Sequence, residues 1–269
     1  MIRLLCTDLD RTLLPNGRAS EPPRARQRLT ERVRRDGLLL AFVTGRDERR
    51  VRRAVQEYAL PAPDFVLADA GTEFLIANGT DWHADAVWQQ DQRKAWHGHD
   101  AARVATLLDG LDVLQAQEAD RQRPFKRSYT VSLNRDSDAL RAELTERLAR
   151  GGLQAGLLFS HDPQSDEALL DVVPAMATKF GAVQRLAAYL GLGDEQVLYA
   201  GDSGNDLDAL MSDLPGVLVG NADADTQARV QVAIRHGARA DRVFQATSAY
   251  AGGILEGLDH YGALYSTDA

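Results

Sequence analysis

The stretch Leu4-Leu5-Cys6-Thr7-Asp8-Leu9-Asp10-Arg11-Thr12 decides how this chain is read. A short apolar run, suited to a buried strand, gives way to two acids separated by one residue. Side chains alternate along a strand, so Asp8 and Asp10 are expected on one side, one pleat apart. Two carboxylates ~4 Å apart at an effective dielectric of ~20 repel by roughly 4 kcal/mol. Such a pair at a strand's carboxyl end implies a chemical use.

Working outward, further apolar runs end in polar or glycine clusters. Leu38 to Val43 stops at Thr44-Gly45-Arg46, and Phe65 to Ala68 stops at Asp69-Ala70-Gly71. Val197 to Ala200 stops at Gly201-Asp202, and Val217 to Val219 stops at Gly220-Asn221. Continuous apolar runs of this length read as strands buried on both faces, as in a parallel sheet. Helical patterns fall between them, over 24–36, 46–58, 178–191, 204–213 and 223–235. The alternation predicts an α/β fold with a Rossmann-like, doubly wound parallel sheet. Ligands of such sheets bind beyond the carboxyl ends of the strands, where all these polar clusters lie.

Residues 81–159 read differently. Helical patterns carrying Trp82, Trp88 and Trp96 and spanning 100–109 and 138–149 mix with strand-like runs at 129–133 and 154–159. This predicts an inserted α+β cap over 81–159, with the core formed by 1–80 and 160–269. The run Leu169 to Val173 is expected to lead back into the parallel domain. The spacing of the three tryptophans suits packing better than stacking on a ligand.

Composition excludes several classes. Hydrophobic residues make up 44% and charged residues 26% of the 269, which is ordinary for a globular protein. A net charge of −8 argues against nucleic acid as a partner. The arginine-rich segments 24–35 and 46–53 read as solvated helix faces. No run reaches the ~20 apolar residues of a membrane helix, and charge interrupts the start too early for a signal peptide. Cys6 is the sole cysteine, so no intrachain disulfide forms, and a reducing cytoplasm is expected. Among 31 basic residues only Lys94, Lys126 and Lys179 are lysines. A chain so biased toward arginine keeps lysine where a compact ammonium is useful.

Together the strand ends supply a reaction. Asp8 can take a phosphoryl group as nucleophile, and Asp10 can serve as general acid and then general base. Thr44, beside Gly45, offers a hydroxyl and an N–H to phosphate oxygens, and Lys179 offers a point charge. Gly201-Asp202-Ser203-Gly204-Asn205-Asp206 adds two carboxylates on a tight turn. Four acids facing a phosphate dianion need more than one lysine, so a hard divalent cation, Mg²⁺ above all, is expected.

In this order the four elements resemble motifs one to four of the haloacid dehalogenase (HAD) superfamily, and the insert is similar to the C2 cap of subfamily IIB. Ala70 to Glu73, Pro124 to Tyr129, Leu170 to Pro174 and Gln245 to Leu258 further resemble the sucrose-6-phosphate phosphatase group. The resemblance implies Asp8 as nucleophile and metal ligand, and Asp10 as acid/base that binds metal through its carbonyl. It implies phosphate held by Thr44, Gly45, Lys179 and Asn205, metal held by Asp202 with Asp206, and sugar contacts from Glu73 and Lys126. The expected activity is Mg²⁺-dependent hydrolysis of a sugar phosphate, foremost sucrose 6-phosphate. The alternatives are another sugar or osmolyte phosphate, such as mannosyl-3-phosphoglycerate, or a non-catalytic partner domain of a sucrose-phosphate synthase. Arg11, Leu13 and Leu14 depart from the Asn, Trp and Val usual in the sucrose enzymes.

Overall fold

The computed structural model describes residues 1–132, 137–162, 167–235 and 242–266. β1 (Leu4–Thr7), α1 (Ala25–Asp36), β2 (Leu39–Val43), α2 (Glu48–Glu57) and β3 (Phe65–Ala68) wind one half of a sheet. The chain then turns back through the hairpin β4 (Glu73–Asn78) and β5 (Asp81–Ala84), followed by α3 (Ala86–Ala95). A second unit holds α4 (Ala101–Leu108), β6 (Leu114–Ala116), β7 (Arg127–Val131), α5 (Ser137–Arg150), β8 (Ala155–Asp162) and β9 (Glu167–Pro174). The return builds α6 (Lys179–Leu190), β10 (Val197–Gly201), α7 (Leu207–Leu210), β11 (Gly216–Leu218), α8 (Ala224–Arg235), β12 (Val243–Gln245) and α9 (Ala251–Ser266).

The large sheet has the order β12-β11-β10-β1-β2-β3-β4-β5, parallel from β12 to β3 and antiparallel at the β4 and β5 edge. β1 is central, and successive strands leave it in both directions, so the crevice between β1 and β10 is the topological switch point. Alternation along β1 feeds two cores. Leu5 packs with Leu29 and Ile254 on one face, while Leu4 and Cys6 pack with Leu186 on the other. Burial on both faces explains the unbroken apolar runs.

The small sheet, β6-β7-β9-β8, is antiparallel and packs on α4 and α5 through Val104, Leu144, Leu170 and Val172. The expected boundaries at 81 and 160 therefore move. β5 pairs with β4 in the large sheet, and Trp88 of α3 joins the core around Leu67. The run Leu169 to Val173 does not return to the parallel domain. It lies in β9, paired with β7 and β8, and its apolar composition reflects a central position in the cap sheet. The strand expected over 129–133 forms at Arg127–Val131, and Leu133 lies outside the described residues. Trp88 and Trp96 are buried, their ring N–H groups donating to the carbonyls of Gly71 and Gln154. Trp82 is partly buried and lies under the Arg52 guanidinium.

Candidate active site

β1 ends at Thr7, so Asp8 starts the loop beyond it and sits 4% exposed at the switch point. Lys179 reaches it from the first turn of α6. Thr178 caps that helix, its hydroxyl accepting from the Gly181 N–H at 3.1 Å. The cap is seated by a close backbone approach: a Cβ on Gly71, whose φ is +102°, would lie 2.3 Å from the Thr178 carbonyl oxygen. The turn after β3 thus helps to place Lys179. Its ammonium donates to Asp8 Oδ1 at 2.7 Å, Asp206 Oδ1 at 2.9 Å and Asn205 Oδ1 at 3.0 Å.

Asp202 and Asp206 follow β10. The segment read as a helix over 204–213 forms a tight turn at Gly204–Asp206 before α7. Asp206 shapes that turn, since its Oδ2 accepts from the Asp202 and Ser203 N–H groups at 3.2 and 3.1 Å. Its Oδ1 also accepts from the Tyr199 hydroxyl at 2.6 Å. Gly201 makes room, because a Cβ there would lie 2.5 Å from the Asp206 Cβ. Thr12 bridges the acids, its hydroxyl 3.1 Å from Asp202 Oδ1 and 3.4 Å from Asp8 Oδ2.

The electrostatics are lopsided. Burial, with help from Asp206, Asp202 and Asp10, pushes the Asp8 carboxyl above its usual range despite Lys179. Burial and Asp206 push Asp202 up to about 7. Asp206 is held low against its burial by Lys179 and the Tyr199 hydrogen bond. Lys179 stays charged in spite of burial because Asp206 and Asp8 face it. One buried ammonium does not balance three buried carboxylates.

Oxygens of Asp8, Asp202 and Asp206 lie within 4.8 Å of one another. Among the described residues this is the one cluster of three or more such acids, cysteines or histidines. Asp202 Oδ2 is buried without a hydrogen-bond partner. Hard oxygen donors, more buried carboxylates than buried cations, and an acceptor whose ionic partner is only the exposed Arg11 at 3.3 Å fit a divalent cation such as Mg²⁺. Asp206, whose oxygens are occupied by Lys179, Tyr199 and backbone N–H groups, fits a supporting part better than a direct ligand.

Asp10 does not join that cluster. Strand alternation does not govern it, because β1 has already ended. Arg46 grips its carboxylate at both oxygens, 2.7 and 2.6 Å away, and Asn16 donates at 2.6 Å. Against partial burial, these bonds hold Asp10 below the usual carboxylate range. Thr44 is fully buried at the end of β2, its hydroxyl accepting from the Arg46 N–H at 3.1 Å.

A cavity of about 170 Å³ lies between core and cap. Gly45, Lys179 and Asn205 line its core side, and Lys126, Ser128 and Asp171 line its cap side. Lys126 therefore reaches this cavity, but its ammonium is bonded to Asp69 of the core. Glu73 does not line the cavity. It faces surface clefts beside Arg123, 3.9 Å away, and burial with Asp69 pushes it up to about 7. Arg123 also binds Asp69 at 2.9 Å and Asp47 at 3.1 Å, completing a charge network across the cap boundary. Sequence reasoning missed Thr12, Arg46, Asp69, Arg123 and Tyr199 as site residues. Thr12, Arg46 and Asp69 stood inside the quoted strand-end clusters, whereas Arg123 and Tyr199 carried no such signal.

A family model for sucrose-6F-phosphate phosphohydrolase matches residues 1–262. A HAD-like hydrolase of Nitrosococcus oceani is 36% identical over 267 residues, covering 96% of this chain and 71% of the relative. A glucosylglycerol-phosphate synthase of Pseudomonas anguilliseptica is 30% identical over 269 residues, spanning 97% of this chain but 31% of the synthase. The crystal structure of a sucrose-phosphatase from Synechocystis, bound to sucrose and phosphate, aligns at a TM-score of 0.79 and 29% identity. That alignment covers 97% of this chain and 99% of the phosphatase. With the doubly wound sheet, the inserted cap and the acid cluster at the strand ends, these likenesses establish that the chain belongs to the sucrose-6F-phosphate phosphohydrolase family and is a phosphatase of the HAD superfamily.

Proposed function

We propose that the enzyme hydrolyses the phosphate monoester of a small glycoside, sucrose 6-phosphate foremost, through an aspartyl-phosphate on Asp8. The observation that supports this reading is the bond from Lys179, which lines a cavity roofed by the cap, to the buried Asp8. In the first half, the Asp8 carboxylate attacks phosphorus, the bond from phosphorus to the sugar oxygen breaks, and Asp10 protonates that oxygen. In the second half, Asp10 takes a proton from water as the water attacks the phosphorus of the acyl phosphate. Free phosphate leaves and the Asp8 carboxylate is restored. Lys179, Thr44 and the Gly45 N–H hold the phosphoryl oxygens, and Asn205 fixes the ammonium. Asp8, Asp202 and the Asp10 carbonyl, with Asp206 behind them, would hold Mg²⁺, which would supply the positive charge for a phosphate dianion to sit among the acids.

Asp10 begins as a carboxylate paired with Arg46, which suits the base half. For the acid half it must leave Arg46, and a phosphate dianion beside it favours its protonation. On the cap side, Lys126, Ser128 and Asp171 present donors and acceptors to sugar hydroxyls, while Glu73 acts through Arg123. A glycosyltransferase of the sucrose-phosphate synthase kind is the proposed source of the substrate and a candidate partner, in keeping with the synthase relative. Phosphate release from sucrose 6-phosphate, mannosyl-3-phosphoglycerate and hexose 6-phosphates, with Mg²⁺ or with EDTA, tests the reading. Turnover is expected with Mg²⁺ on the disaccharide phosphate and loss of turnover in EDTA. Release from none of them rejects the substrate class.

A further inference from the structure

Arg11 follows Asp10 directly, and its backbone is pinned from both sides. Its N–H donates to Asn16 Oδ1 at 2.8 Å, and its carbonyl accepts from Asn221 Nδ2 at 2.6 Å. Its φ of 61° lies in the left-handed region, which a long side chain seldom occupies. The clamp aims the side chain across the acid cluster, placing Nε 3.3 Å from Asp202 Oδ2. That oxygen has no hydrogen-bond partner, and it is the acceptor that marks the cation's place. The arginine side chain is 43% exposed against 1% for Asp202, so the guanidinium can swing out into the cleft beside Ser160 and Ser203 while the carboxylate stays.

We propose that Arg11 is a resident counter-cation: it neutralises Asp202 when no divalent ion is bound and competes with Mg²⁺ for the same oxygen. Arg11 is thereby a positioning residue that sets how tightly the enzyme holds its metal. A guanidinium and a divalent cation drawn to one carboxylate oxygen repel each other, so each weakens the other's hold on it. The exposed arginine limits the effect to that of a partly solvated pair. The inference rests on the metal-dependent reading of the acid cluster.

Calorimetric titration of MgCl₂ into the substrate-free enzyme tests it in wild type, Arg11→Asn and Arg11→Lys. Asparagine tolerates a positive φ, so the backbone clamp survives the change. Arg11→Asn is expected to bind Mg²⁺ about fivefold more tightly, the factor that an ion pair of ~1 kcal/mol gives. Saturating Mg²⁺ is expected to raise its melting temperature by more than it raises that of wild type. Arg11→Lys, which keeps the charge, is expected to lie between the two. Equal or weaker Mg²⁺ binding by Arg11→Asn, with wild type binding normally, overturns the inference alone. No Mg²⁺ binding by any of the three proteins overturns the metal reading together with it.

Discussion

The acid cluster at the strand ends and the charge network at the cap boundary use similar residues to opposite ends. At the strand ends, Asp8, Asp202 and Asp206 share the buried Lys179, and one oxygen of Asp202 is left without a hydrogen-bond partner. Every member there is carried by the core, at the end of β1, after β10 or at the start of α6. At the cap boundary, Asp47, Asp69 and Glu73 of the core face Arg123 and Lys126 of the cap. Positive charge there crosses from one unit to the other. The first region is buried and short of positive charge, which suits a bound cation. In the second, the core acids meet Arg123 and Lys126 only when the cap is seated, which suits control of access.

The largest effect is expected from Asp8→Asn. It is expected to lower kcat by at least roughly 10⁴-fold, as loss of a covalent nucleophile does. Substrate binding, followed by calorimetry, should persist because the cap network is untouched. Lys126→Met strikes the other region. Removing one partner of a buried pair is worth roughly 3 kcal/mol, part of which opens the cap. KM should rise roughly 10- to 100-fold with kcat much less affected, and a fall confined to kcat would move Lys126 into the chemistry.

Arg46→Gln is a smaller perturbation at the edge of the cluster. Arg46 holds the Asp10 carboxyl low, so its loss raises that pKa. The limb of the kcat/KM profile governed by Asp10 should move to higher pH, and an unmoved profile would separate Asp10 from the proton transfer. The smallest expected effect is a stability shift. Asp202 rises from 3.8 to about 7 on folding without metal, so the folded protein holds its proton longer than the unfolded chain. Metal-free stability from this group therefore falls as pH climbs through that window and is fully lost above about 7. Mg²⁺ binds the ionised form, so the rise in melting temperature on adding Mg²⁺ should widen, by a few degrees, across neutral pH. A constant gap would contradict an Asp202 whose burial and Asp206 neighbour outweigh its pairing with the exposed Arg11.

Much of the core was legible in the sequence, and the reason is local. Asp8, Thr44, Lys179 and Asp202 each follow an apolar run or open a helix, so strand-end chemistry is written in contiguous residues. The partners of these groups are a different matter. Arg46 meets Asp10 across 36 residues, Lys126 meets Asp69 across 57, and Arg11 meets Asp202 at the far side of the chain. No period or spacing reports such pairs, because they arise when the sheet brings strand ends together. The cap boundary was misplaced for a related reason. Leu169 to Val173 has the composition of a buried parallel strand, and only its antiparallel pairing with β7 and β8 assigns it to the cap. Glu73, expected as a sugar contact, stands beside Arg123 in clefts next to the cavity, a position set by the turn at Asp69–Gly71 and the antiparallel return of β4.

The proposed reaction stands on covalent phosphorylation of Asp8 beneath a cap that selects the sugar. Acid-quenched turnover of sucrose 6-phosphate with Mg²⁺, followed by peptide mass spectrometry, tests it most directly. A phosphoryl adduct is expected on the peptide carrying Asp8 and absent from Asp8→Asn. Continued phosphate release without that adduct, or an adduct on another residue, would contradict it.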